Sequence, residues 1–267
     1  MNLDLIQSTK SIIQLAEDVS KKKFQFIEKK DLAYFARVKP ARKDMPFHLI
    51  YYKTEHNELI NHLIAHECGH IIRMFIVPEE NRLIPKTNND IKRTALTGIE
   101  EDINKLSSSM PFNQLTQIVN MWYSGTVTQV TNQPPDIMIE KWIHDDYQDL
   151  RELQLQSIKK QHDESIVALT NRVARLTPRK IYEVSNVMNY CFFKYLGLYL
   201  NTNFLQPYWD FKYKRKGEEL ARITLDYKDD YLGDLEMINK WAEYLEITNW
   251  FAWTDFENVP ADYQNQF

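Results

Sequence analysis

Residues 62–70 read His62-Leu-Ile-Ala-His66-Glu67-Cys68-Gly69-His70. Histidines four apart share one face of a helix, so His66 and His70 can address a single metal ion. Glu67 projects beside them, where a carboxylate can take a proton from a metal-activated water. The surround is that of a core helix: Ile60, Leu63, Ile64, Ile71 and Met74 recur at helical spacing from Asn57 to Met74, with no proline among them. His62 lies one turn before His66, and the pair His62 and His66 competes with His66 and His70 for the metal. No glutamate follows His62, so it reads as a packed or hydrogen-bonded histidine. Gly69 costs a helix about 1 kcal/mol relative to alanine. Such a cost is accepted where a side chain would block close approach, here of a substrate or an adjoining strand.

Two histidines alone hold catalytic zinc poorly, so a third ligand is needed. A second helix is expected near residues 90–109, with an apolar stripe of Ala95, Leu96, Ile99, Ile103, Leu106 and Met110. It offers Glu100, Glu101 and Asp102. At about 100° per residue, Glu101 falls opposite the stripe while Glu100 and Asp102 flank it. Glu100 is favoured, because Asn104 one turn later is placed to support the same site. The competing role for Glu100 is local: Thr97-Gly-Ile-Glu100 fits a capping box and needs no metal.

Stepping outward, residues 3–20 carry Leu5, Ile12, Ile13, Leu15, Ala16 and Val19 in a helical pattern, followed by a solvated basic turn at Lys21 to Lys23. Phe24-Gln-Phe-Ile, Leu32 to Val38 and Phe47 to Tyr52 read as three strands, punctuated by Pro40 and Pro46. The third strand runs into the histidine helix. That order suits a cleft in which an edge strand receives an extended peptide.

The strand, the helix with His66-Glu67-x-Gly69-His70, and Glu100-x-x-x-Asn104-Lys-Leu106-Ser107 ending at Met110-Pro111 together resemble the ImmA/IrrE group of bacterial and phage gluzincins. The resemblance spans roughly residues 24–111. It implies zinc held by His66, His70 and Glu100, with Glu67 as general base. It also implies peptidase activity on a protein substrate, often a repressor or regulator. Ser107 to Ser109 stand where that family has alanines and more apolar residues.

The remaining chain reads as mainly helical. Phe112 to Tyr123 and Ile137 to His144 are short candidates with Gln133-Pro-Pro135 between them, and Asp149 to Leu176 is a long polar pattern. Pro178 to Tyr199 is an aromatic packing helix, started by a proline where its missing N–H does no harm. His144, Asp145, Asp146 and Tyr147 read as a surface cluster rather than an oxyanion donor. From Asp226 to Phe267 there are ten acidic residues, two lysines and three tryptophans. A packed helix over Asp234 to Ile247 is the default there. An acidic aromatic tail that covers the cleft or meets a protein partner is the alternative.

Bulk properties bound these readings. A chain of 267 residues with 43% hydrophobic and 26% charged residues is of ordinary globular composition. Net charge of −4 gives no nucleic-acid footprint. The two cysteines, Cys68 and Cys191, make no disulfide framework, and Cys68 beside metal ligands points to a reducing compartment, the cytoplasm. Neither a signal peptide nor a membrane span is expected. The expectation is therefore an α+β, zincin-like metallopeptidase domain over residues 1–125 and a mainly α-helical region over 126–267. Its activity would be zinc-dependent cleavage of a protein or peptide. The competing functions are a catalytically silent binding scaffold of the same fold and a metal-dependent hydrolase of a non-peptide amide.

Overall fold

The computed structural model describes residues 3–32, 35–107 and 111–259. Three stretches of the sequence reading therefore lie outside the described residues: Ala33 and Tyr34 of the second strand, Ser108 to Met110, and residues 260–267 of the acidic aromatic stretch. The chain is α+β and mostly helical, 69% helix with small sheets.

Helix α1 (Gln7–Ser20) buries Thr9, Ile12, Ala16 and Ser20, the three-and-four spacing of a single apolar face. It ends at Lys21, whose left-handed backbone (φ 59°) lets its N–H reach the Glu17 carbonyl at 2.8 Å. Strands β1 (Lys23–Glu28), β2 (Ala36–Lys39) and β3 (Phe47–Tyr52) follow. They form a sheet in the order β1-β3-β2, with β1 parallel and β2 antiparallel to the central strand. On β3 every second residue, His48, Ile50 and Tyr52, is buried, the signature of a sheet with one face on the core.

A 3₁₀ stretch, Thr54–Leu59, separates β3 from helix α2 (Ile60–Phe75), so the strand does not run straight into the histidine helix. Almost all of α2 is buried. Asn61 ties it to α1: Ile6 N–H donates to Asn61 Oδ1 at 2.9 Å, and Thr9 Oγ1 donates to the Asn61 carbonyl at 3.2 Å.

After β4 (Leu83–Lys86) the expected single helix over 90–109 is two helices, α3 (Asn89–Thr97) and α4 (Glu100–Ser107). The break falls at Gly98, where helix propensity is lowest short of proline. Phe112–Asp146 is one helix of 35 residues, α5, and it runs through Pro134 and Pro135. Two prolines remove two backbone donors and ordinarily end a helix. Here burial on both sides of them, at Val130 and Thr131 and at Ile137, Ile139 and Ile143, sustains it.

Helices α6 (Arg151–Ser165), α7 (Asn171–Leu176), α8 (Arg179–Tyr199), α9 (Lys214–Thr224) and α10 (Tyr231–Tyr244), then strand β5 (Ala252–Asp255), complete the chain. The long pattern over Asp149 to Leu176 is thus broken into α6, a 3₁₀ turn and α7. Trp241 and Trp250 are 0% and 3% exposed, so within the described residues the acidic aromatic stretch is packed, with α10 in the default place. No helix among the described residues is long and apolar enough to cross a membrane.

The chain divides into two compact units, and the division is discontinuous. One contains Met1–Ile84, Pro135–Lys160 and Trp253–Phe267; the other contains Pro85–Pro134 and Gln161–Ala252. The chain crosses between the units several times, once between Pro134 and Pro135. The first unit holds the sheet, α1, α2, the C-terminal part of α5 and most of α6. The second is helical, with α8 packed on α9.

Candidate metal centre

The centre is built inside the first unit, where α2 meets the C-terminal part of α5. Gly69 permits that meeting. A Cβ built there would lie 2.6 Å from Ile139 Cγ2, and Ile139 is 1% exposed, with little room to yield. The neighbour that Gly69 accommodates is therefore a helix, neither a strand nor a substrate. Gly69→Ala gains about 1 kcal/mol of helix propensity but overpacks this contact, at a typical cost of about 1–3 kcal/mol. The expected result is a net loss of stability in chemical denaturation, and a stabilised variant would contradict this account.

Packed this way, α5 brings Asp136 and Glu140, one turn apart, against the histidines of α2. Asp136 Oδ1 lies 3.3 Å from His66 Nε2 and 3.1 Å from His70 Nε2. Donor atoms about 2.0–2.1 Å from a tetrahedral zinc lie about 3.3–3.4 Å from each other, so these separations suit a shared ion. Asp136 Oδ1 is buried and makes no aligned hydrogen bond, despite its closeness to both rings. His66, His70 and Asp136 form the only group of three or more potential metal ligands that converges among the described residues. The group can hold a metal ion.

Glu140, 1% exposed, is the scaffold behind it. Its carboxylate accepts from His66 Nδ1 at 2.8 Å, His62 Nε2 at 3.0 Å and Gln154 Nε2 at 2.6 Å. An ionised carboxylate only accepts, so His66 must donate from Nδ1, leaving the Nε2 lone pair toward Asp136 and the metal position. His62 is thus the packed, hydrogen-bonded histidine that its sequence context implied, and its partner is Glu140.

Glu67 is 7% exposed, and its Oε2 accepts the Val38 N–H of β2 at 2.8 Å. Burial raises the Glu67 carboxyl above its ordinary range, and the charges of His66 and His70 with the Val38 amide only partly oppose this. At Asp136 burial also works against ionisation, but His66 and His70 outweigh it and hold the carboxyl low. Burial likewise opposes a charge on Glu140, and His62 and His66 pull it far below the usual carboxylate range. For His66 the signs reverse. Burial lowers its pKa, yet Asp136 and Glu140 carry the imidazole well above its ordinary value. A metal ion must displace that proton. Metal affinity should therefore weaken as pH falls below the raised His66 pKa, which a chelator competition titration carried from alkaline to mildly acidic pH measures. Constant affinity over that range would contradict the assignment of His66 as a ligand.

Glu100, expected as the third ligand, is not part of the converging group. It is exposed in the first turn of α4, in the second unit. Its capping box is not formed either, because Thr97 belongs to α3 and its hydroxyl donates to the Arg93 carbonyl at 2.9 Å. Glu101 pairs with Lys105 at 3.0 Å. Asp102 Oδ2 accepts the backbone N–H of Arg179 at the start of α8, at 2.9 Å. Asp136→Ala is expected to abolish stoichiometric metal binding and Glu100→Ala to preserve it, as read by elemental analysis of the purified variants. The reverse outcome would restore the ligand set inferred from sequence.

The sequence does carry a signal for Asp136. Asp136 and Glu140 stand at helical spacing among Ile137, Ile139 and Ile143, and carboxylates are rarely buried without a partner. A helix over Ile137 to His144 is legible in the sequence and contains Glu140, but Pro134-Pro135 reads as its boundary, which leaves Asp136 just outside it. Neither a protein-family profile nor any curated protein or solved structure matches the chain.

Proposed function

We propose that this protein is a zinc-dependent hydrolase of peptidase type, with His66, His70 and Asp136 as the metal ligands and Glu67 as general base. The observation that carries the reading is the convergence of His66 Nε2 and His70 Nε2 of α2 with Asp136 Oδ1 of α5, beside the buried Glu67 of α2. The donor set, two imidazoles and a carboxylate, is that of catalytic zinc sites. A zinc ion held there would supply an activated water and a Lewis acid for the substrate carbonyl.

The chain's own residues supply the remainder. Glu67, anchored through Oε2, takes the proton of the attacking water and delivers it to the leaving nitrogen. Its raised pKa suits both directions of transfer. Glu140 fixes the tautomer and orientation of His66. Val38, whose N–H points away from β3 and onto Glu67, places the edge strand β2 beside the base, which favours an extended peptide over a compact amide. A relationship to the ImmA/IrrE group now draws on the first motif alone, since the second, around Glu100, contributes nothing to the converging group.

A second reading, a binding protein with a buried structural metal, draws on the enclosure of the centre: the His66 and Asp136 side chains are each 17% exposed and Glu67 and His70 less than 10%. Purification without added metal, elemental analysis and incubation with a peptide library test both. About one zinc per chain with cleavage supports the hydrolase. Metal without cleavage of any member supports the structural reading, and absence of metal removes both.

A further inference from the structure

The helical second unit holds a cavity of about 470 Å³, lined among others by Arg175, Pro178, Arg179, Tyr182, Lys212 and Tyr213. We propose that it is a binding site for a nucleoside monophosphate, separate in chemistry from the metal centre. The volume falls in the range of small-molecule sites, about 300–1,000 Å³, and the lining is sorted by type. Pro178 and Tyr213 are buried and form apolar floor, Tyr182 is half-buried, and Arg175, Arg179 and Lys212 are exposed at the rim.

Charge is the first part of the case. Asp102 is the only acidic residue in the lining, and it is already engaged: Oδ2 with the Arg179 backbone N–H at 2.9 Å and Oδ1 with Lys105 at 3.4 Å. Glu183, one turn beyond Arg179, is held by Lys216. None of the Arg175, Arg179 and Lys212 side chains pairs with a carboxylate among the described residues. Arg175 Nε donates to the Asn171 carbonyl at 3.2 Å, Arg179 Nε donates to the Tyr213 hydroxyl at 3.3 Å, and Lys212 Nζ lies over the Tyr213 ring at 5.2 Å. Lys105, Arg175, Arg179 and Lys212 outnumber the single lining carboxylate of Asp102, and in a chain of net charge −4 this excess gives a local positive field that selects an anion. Guanidinium forks match phosphate oxygens in particular.

The rings are the second part. Tyr213 accepts from Arg179, which leaves its own O–H proton to donate to a ligand oxygen. Its face is covered by Lys212, whereas the Tyr182 ring, 6.5 Å away centroid to centroid, forms a wall on which a flat heterocycle can stack. Phosphate at the cationic rim and a base against Tyr182 together describe a nucleotide better than a bare anion.

The test is calorimetric titration of the full chain with AMP, GMP, CMP, UMP, inorganic phosphate and adenosine. At least one nucleotide is expected to bind saturably and about tenfold or more tighter than phosphate or adenosine alone. Arg179→Ala and Lys212→Ala, both at exposed positions, should each weaken that binding about tenfold. Tyr182→Ala should bring the nucleotide down to the affinity of phosphate. Arg172→Ala, exposed on the same helix α7 as Arg175 but outside the cavity, should change nothing. Saturable binding by none of the four nucleotides overturns the site. Equal affinity for nucleotide and phosphate overturns the nucleotide assignment, and an equal loss in Arg172→Ala reduces the effect to bulk charge and overturns it as well.

Discussion

Glu67→Gln is expected to retain about one metal ion per chain and to lose about two to four orders of magnitude in hydrolytic rate. The substitution keeps size and hydrogen-bonding reach, so the Val38 N–H, 2.8 Å from Glu67 Oε2 in the native chain, still finds an amide oxygen. It removes only the ability to accept and return a proton. His66, His70 and Asp136 are untouched, which is why metal content and rate should part company in this variant and fall together in His66→Ala. The measurement is metal stoichiometry beside kcat/KM on a substrate recovered from the peptide library. A Glu67→Gln protein that cleaves at the native rate would remove Glu67 as base and leave the structural-metal reading standing.

Glu140→Ala should be the most destabilising single change in the first unit. Three donors, His62 Nε2, His66 Nδ1 and Gln154 Nε2, converge on this carboxylate in a region where Glu140 and His62 are each 1% exposed and Gln154 0%. Removing the acceptor strands His62 Nε2 and His66 Nδ1 without water, while Gln154 Nε2 keeps only its bond to the main-chain carbonyl of residue 140, at 2.7 Å. The cost of breaking such a buried charged arrangement is about 3–5 kcal/mol, a large share of the stability of an ordinary domain. The same change frees the His66 ring to turn, so metal affinity should drop about 10–100-fold. Chemical denaturation in the presence of chelator isolates the first effect, and metal competition reads the second. A loss within about 1 kcal/mol would mean that water, rather than Glu140, satisfies these donors.

Both predictions rest on residues of different legibility. The α2 face was readable because a helix makes its own geometry: His66, Glu67 and His70 share a side whatever surrounds them. The same holds for α1, for α8 and for the alternating strands β1 and β3, whose periodicity is a local property of the backbone. Pro134-Pro135 misled for the opposite reason. Proline states a local preference strongly, and burial along α5 on both sides overrode it. The division into compact units is no more legible, since a chain that crosses between units several times leaves no composition shift to mark the crossings.

The sequence alone determined that one helix of this protein carries two imidazoles and a carboxylate suited to a metal and a base. It even suggested the logic of the rest, a carboxylate ligand with a supporting group four residues on, and then assigned that logic to Glu100 and Asn104. Only the tertiary structure decided that Asp136 converges with His66 and His70 in a group that can hold a metal ion, with Glu140 one turn on against His66 Nδ1. The physical reason is that a third ligand is chosen by packing, here by the closeness of approach that Gly69 allows to Ile139. Residues 74 apart, His66 and Glu140, have no local rule that joins them.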